Sequence, residues 1–137
     1  FEAPSHVILA HACNARGSWR SGIAVQFARR FPDEHTEYQD YCNGRESVGT
    51  TLLTGRVACL ITSNYYGKHK DEPKQITKST YKAVKHLLEQ IEEDEVEIHS
   101  PKINNGLFEV PWKWTTQAIE QAIEKSGKKV KWVVWEL

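Results

Sequence analysis

His11-Ala-Cys-Asn-Ala-Arg-Gly-Ser-Trp-Arg-Ser-Gly-Ile-Ala24, preceded by the apolar run Val7-Ile-Leu-Ala10, is the stretch whose reading decides the fold. The run is short and rich in β-branched residues, which suits a buried strand. Beyond the loop, Ile23, Phe27 and Phe31 recur every four residues, the spacing of one helical face. Strand, glycine-bearing loop and helix start, in that order, is where an α/β domain receives an anion. The first N–H groups of the helix lack intrahelical partners, and the helix dipole favours negative charge there. Gly17 and Gly22 let the main chain approach a phosphate with no Cβ in the way. The loop therefore offers Gly17, Trp19, Arg20, Ser21, Gly22 and Ile23 as candidate substrate-binding residues for a nucleotide-like ligand.

Outward from this stretch, the chain alternates strands and helices. His6 to Ala12 reads as the first strand, and Gly22 to about Arg30 as the helix behind the loop. Pro32 ends that helix because proline disfavours helical geometry in the residue before it. Asp33 and Glu34 open a short second helix to about Tyr41 with acids suited to the dipole. Asn43-Gly44 and the Gly49-Thr-Thr segment read as turn and loop. Val57 to Thr62 is almost wholly apolar, as a central strand covered on both faces would be. A polar loop from Tyr65 to Pro73 leads to the clearest helix, where Ile76, Thr80, Val84, Leu87, Leu88 and Ile91 form one apolar stripe. Val96 to His99 is a short strand, Ser100 to Pro111 a second loop, and Lys113 to Lys125 a helix. Gly127 supplies the left-handed residue that closes a helix, and Val130 to Trp135 ends the chain as a strand. This order predicts an α/β layered domain with a largely parallel sheet.

Composition narrows the function. A chain of 137 residues is one domain by size. Eighteen basic and eighteen acidic residues balance, so charge does not advertise nucleic acid or an anionic membrane surface. The cluster Lys125, Lys128, Lys129 and Lys131 reads as a solvated turn, and the acidic run Glu92 to Glu97 as a solvated surface. No apolar stretch is long enough for a membrane span and no signal peptide is visible. The chain begins at Phe1 and contains no methionine, so the native N-terminus is expected to be absent. Cys13, Cys42 and Cys59 are odd in number and follow no disulfide spacing, which points to a reducing, intracellular setting, cytoplasmic or nuclear. Six histidines and three cysteines scatter without a second ligand pair, so neither a metal nor a cofactor is expected.

Open α/β sheets bind ligands beyond the carboxyl ends of their strands. Both unusual loops are predicted there, each followed by a helix, and two helix starts aimed at one crevice suit a diphosphate. Asn104-Asn105-Gly106 can present consecutive N–H groups as a nest for oxygen anions, although the same three residues also make an ordinary turn. In the first loop, His11 and Cys13 point to one side of the strand and Ala12 to the other. His11 has two readings: a satisfied structural histidine, or a group that moves a proton near neutral pH. The asparagine and anion-accepting loop that follow favour the second. Asn14 carries both donors and an acceptor, which suits paired ribose hydroxyls.

Rival motifs fit less well. A cysteine-dependent phosphatase spaces its cysteine and arginine by five residues, whereas six separate Cys13 from Arg20, which would misdirect the ring of N–H groups. The dinucleotide fingerprint, the phosphate-binding Gly-Lys-Ser/Thr ending and a nucleophile elbow are all lacking.

His11-Ala-Cys-Asn14, Gly17-Ser-Trp19, Gly22-Ile-Ala24 and Phe31-Pro32, followed by Ile103-Asn-Asn-Gly106-Leu-Phe108 and Val110-Pro-Trp112, resemble the macro domain family. Within it they are most similar to the fungal branch of ADP-ribose 1''-phosphate phosphatases. The resemblance spans nearly the whole chain and implies a single macro domain over residues 1–137, with a three-layer α/β/α fold and a mixed, largely parallel sheet. It implies an ADP-ribose pocket in which Asn14 holds the distal ribose and His11, with the loop around Gly22, lies by the group removed. It implies that Asn105, Gly106, Leu107 and Phe108, next to Asn104, embrace the diphosphate, and that Trp135 lies near adenine. The expected activity is hydrolysis of ADP-ribose 1''-phosphate by a monomer acting on a small molecule, with no nucleic-acid or membrane partner. The alternatives are a non-catalytic ADP-ribose reader and a hydrolase of protein-linked ADP-ribose. The latter uses a lysine where this chain has Ser63-Asn64.

Departures from the family pattern are specific. The strand whose aspartate reads adenine is expected just before Phe1. Arg20, Ser21 and Glu109 stand where relatives carry glycine. The stretch Leu52 to Val57 is shorter than in relatives, which place another strand and a hairpin there, so residues are expected to be lacking between Gly55 and Val57.

Overall fold

The structure, a computed structural model, describes residues 6–17, 23–44, 46–64, 71–104 and 108–135, with side chains from residue 25 onward in the second segment. The element order is β1 (Ile8–Asn14), α1 (Ile23–Arg30), α2 (Pro32–Cys42), β2 (Thr51–Thr54), β3 (Val57–Ser63), α3 (Pro73–Gln90), β4 (Glu95–Ser100), α4 (Trp112–Ser126) and β5 (Lys129–Val134). The sheet has the order β2-β3-β1-β4-β5. β1 pairs in parallel with β3 and with β4, and β4 pairs in parallel with β5. Only β2 runs antiparallel, against β3. The sheet is mixed and largely parallel, as expected.

Side-chain alternation along the central strands sorts the core into two layers. Leu9 and Cys13 of β1, with Val57, Cys59 and Ile61 of β3, pack against Phe27 of α1 and Tyr38 and Cys42 of α2. Ala10 of β1, Ala58 and Leu60 of β3 and Ile98 of β4 pack against Ala83, Val84, Leu87 and Leu88 of α3 and Ile119 and Ala122 of α4. The predicted stripe of α3 is buried from Ile76 to Leu88. Every residue of β3 is buried, which explains its apolar run from Val57 to Ile61. Helices on both faces of one sheet make three layers, α/β/α.

Two details differ from the sequence reading. Thr51 to Thr54 is a strand, not loop, and the turn Gly55-Arg56 joins it directly to β3, with Thr54 opposite Val57. The stretch Leu52 to Val57 is thus itself a hairpin, closed by a two-residue turn. Four residues are too few for alternation to register, and Thr51 is fixed instead from α3: its N–H donates to His86 Nδ1 at 2.9 Å and its hydroxyl to the Ala83 oxygen at 2.6 Å. At the other end of the chain Gly127 closes α4 at φ 70°, as predicted.

Candidate functional site

The chain leaves β1 to build β3 on one side, then crosses to the other side of β1 to build β4. The strand order therefore reverses between β1 and β4, which is the switch point where open α/β sheets bind ligands. Ile8 lies opposite Ile98 and Leu9 opposite His99, and the strands are parallel. Their carboxyl ends, with the loops after Asn14 and after Ser100, leave the sheet at the same edge. The two loops inferred from sequence therefore start from neighbouring strands. Trp19, Arg20, Ser21, Gly22, Asn105, Gly106 and Leu107 lie outside the described residues, and the geometry of the site is set by what flanks them.

Asn14 ends β1 at an irregularity: Cys13 pairs with Ile61 but Asn14 with Ser63, so one extra residue of β3 is accommodated. Bulges of this kind re-aim side chains at functional edges. Asn14 is 7% exposed. Its Oδ1 accepts from the Arg16 N–H at 2.9 Å, and the Tyr38 hydroxyl donates to its main-chain oxygen while standing 3.3 Å from Oδ1. These contacts fix the orientation of the amide before any ligand arrives. Ala15 then donates to the Ser63 oxygen at 2.8 Å, and Arg16 Nε to the Asn64 oxygen at 3.2 Å, tying the loop to the end of β3. Gly17 follows at φ 74°, and a Cβ there would stand 3.4 Å from Gln39 Cα. Turn geometry and close approach to α2 both select glycine. Ile23 is the first residue of α1.

His11 lies deeper than its candidate role requires. It is 0% exposed, its ring stacked on Phe27 with centroids 4.0 Å apart and planes 12° from parallel. Proton transfer needs hydrogen-bond reach to the reacting group. The ring is enclosed between β1 and α1 and supports the strand end from beneath. Cys13, 2% exposed, has its thiol 3.5 Å from His11 Nε2 and within the same inner layer. Burial in that layer disfavours the cysteine-phosphatase reading, which needs a thiol that substrate can reach. Burial pushes the Cys59 thiol well up from its ordinary range and raises that of Cys42, so both are neutral packing groups at neutral pH. The structure also gathers what looks scattered in sequence: ligand atoms of His11, Cys13 and Cys59 lie within 4.8 Å of one another.

Asn104 is likewise turned inward. It is 4% exposed; Oδ1 accepts from the Thr62 hydroxyl at 3.0 Å, and Nδ2 donates to Thr80 Oγ1 at 2.8 Å. Its side chain clamps the second loop to β3 and α3. Its oxygen accepts from Val110 N–H at 2.8 Å, closing the loop upon itself. Asn104 at φ 65° and Glu109 at φ 57° bracket this loop with two left-handed residues. Phe108 is half-buried, whereas Glu109 is exposed. Trp135, half-buried just beyond β5, donates its indole N–H to His99 Nδ1 at 3.3 Å. His99 must then carry its proton on Nε2, which donates to Glu97 Oε2 at 2.7 Å. That contact is the first cause holding the Glu97 carboxyl below its ordinary range. The sequence marks Thr80 only as part of the α3 stripe and gives no site role to Tyr38, Thr62 or Thr80, since hydroxyls on buried faces read there as packing.

A switch-point crevice with two loops leading into helix starts defines an α/β/α protein built to hold a small anionic ligand. A family model described as Macro domain matches residues 10–119, and the chain belongs to the macro domain family. An ADP-ribose 1''-phosphate phosphatase of Debaryomyces hansenii is 38% identical, the match covering 83% of this chain and 82% of that protein. One of Chaetomium globosum is 33% identical over 99% of this chain and 91% of its own. Among solved structures, the macrodomain of Mycobacterium tuberculosis DarG superposes with a TM-score of 0.75 at 20% identity, covering 98% of this chain and 91% of that one.

Proposed function

We propose that the chain binds an ADP-ribose derivative in the crevice between β1 and β4 and releases phosphate from ADP-ribose 1''-phosphate. The observation that carries this reading is the parallel pairing of β1 with β4, which sets the two loops side by side. Support also comes from the relatives named ADP-ribose 1''-phosphate phosphatase, which are covered over most of their length. In this reading Asn14 orients the distal ribose through its fixed amide. Main-chain N–H groups of both loops hold the diphosphate, and the α1 and α4 starts add dipole stabilisation to charge developing on the departing phosphate. Arg20, Ser21, Gly22, Asn105, Gly106, Leu107 and Phe108 are the proposed contacts of the phosphates, and Trp135 of the base. The three free, buried cysteines support a reducing compartment, and among the described residues no helix is long and apolar enough to cross a membrane. A monomer with no nucleic-acid or membrane partner completes the proposal.

Burial of His11 favours a second reading, a reader that binds ADP-ribose without turnover. Calorimetry with ADP-ribose beside a phosphate-release assay separates them. Turnover of ADP-ribose 1''-phosphate that falls with Asn14→Ala supports the phosphatase; tight binding with no release supports the reader. Absence of binding overturns both.

A further inference from the structure

We propose that His11, Cys13 and Cys59 form a buried thiophilic site that takes one divalent d10 ion of the zinc class. His11 and Cys13 come from the same face of β1, and Cys59, in register with His11 on β3, brings the third donor across the strand pair. The three ligand atoms lie within 4.8 Å of one another, and His11 Nε2 stands 3.5 Å from Cys13 Sγ. Bonds of about 2.3 Å to sulfur and about 2.0 Å to imidazole nitrogen, at a tetrahedral angle, separate N and S by about 3.5 Å. His11 Nδ1 stands 3.7 Å from the same Cys13 sulfur, so the thiol lies over the ring, and loading requires the imidazole to turn from its stack on Phe27 and aim one nitrogen at the ion.

Charge selects the class of ion. The residues are 0% to 2% exposed, and an interior of that kind tolerates no net charge. Two thiolates and a neutral imidazole cancel a divalent cation, whereas a monovalent copper ion would leave one negative charge. Both thiol protons pass to solvent as the ion enters. Three protein ligands and one further donor is a regular arrangement for zinc. Loading would also tie β1 to β3 immediately before Asn14, at the strand end that carries the crevice.

The test uses the full chain, reduced and metal-free, with Zn2+ alone titrated against a chromophoric chelator, and Co2+ as the spectroscopic probe. The expected result is one zinc per chain, bound below about 1 µM. Thiolate-to-cobalt charge transfer should show two sulfur ligands. Cys13→Ser, Cys59→Ser and His11→Gln should each weaken zinc by at least about 100-fold, beyond the effect of losing a mere supporting contact. Cys42→Ser, whose thiol engages Ser47 and Asn14 instead, should change it less than about threefold. No binding, or binding unchanged by the three substitutions, overturns the site. Should a variant fail to fold, the cobalt spectrum of the unsubstituted chain decides: no thiolate band overturns the proposal.

Discussion

The Tyr38 hydroxyl of α2 donates to the main-chain oxygen of Asn14 at the end of β1, joining the helical layer to the residue proposed to orient the ribose. The oxygen is buried, and a buried acceptor that loses its donor costs about 1–3 kcal/mol. Tyr38→Phe should therefore lower unfolding free energy by that amount in urea titration. It should also weaken ADP-ribose several-fold in calorimetry, because the Asn14 amide loses one of its two guides. Loss of stability with unchanged affinity would separate the hydroxyl from the site.

His11→Ala removes a ring stacked on Phe27 in a closed layer. Core truncations of this size cost about 2–5 kcal/mol. The main effect expected is on Tm and on the fraction folded, with phosphate release per folded molecule within about tenfold of the parent. A rate loss of about 100- to 10,000-fold in a variant of undiminished stability would restore proton transfer to His11.

Glu109 is an exposed residue in a left-handed conformation, φ 57°. Such a conformation costs an L-residue about 1–2 kcal/mol, a penalty glycine does not carry. Glu109→Gly should raise stability by about 1 kcal/mol after the greater chain entropy of glycine is subtracted. Removing a carboxylate from the rim of an anion site should also tighten ADP-ribose, and the gain should shrink as salt is added.

The Glu97 carboxyl is lowered from its ordinary 4.5, first by the hydrogen bond from His99, opposed by slight desolvation and aided by Lys131. A carboxyl lowered in the folded state contributes stability above its unfolded value, and that contribution disappears as pH falls through the lower folded value. Glu97→Gln should be less stable than the parent at pH 6, and the two should converge as pH drops below about 4. Thermal melts across that window measure the difference, which should be small because the carboxylate still reaches solvent, its side chain being 27% exposed.

The order of strands and helices was legible because each carries its own period: β3 is an apolar run, α3 a stripe, and Gly127 a stop. β2 was not legible, since four residues held by α3 from across the fold carry no local signal. The two loops were recognisable from their glycines and asparagines, as residue chemistry at strand ends is a local property.

What the sequence determined by itself was the alternating α/β order, the family and the pair of loops, for these follow from residue types read in series. The tertiary structure alone decided what the singled-out side chains pack against. Asn14 is held by Arg16 and Tyr38, His11 lies on Phe27, and Asn104 lies among Thr62 and Thr80. The same structure collected His11, Cys13 and Cys59, 48 positions apart between first and last, by pairing β1 with β3 in register. Strand periodicity fixes only which residues share a face; the partner that covers that face comes from elsewhere in the chain, and it decides whether a polar group meets ligand or core.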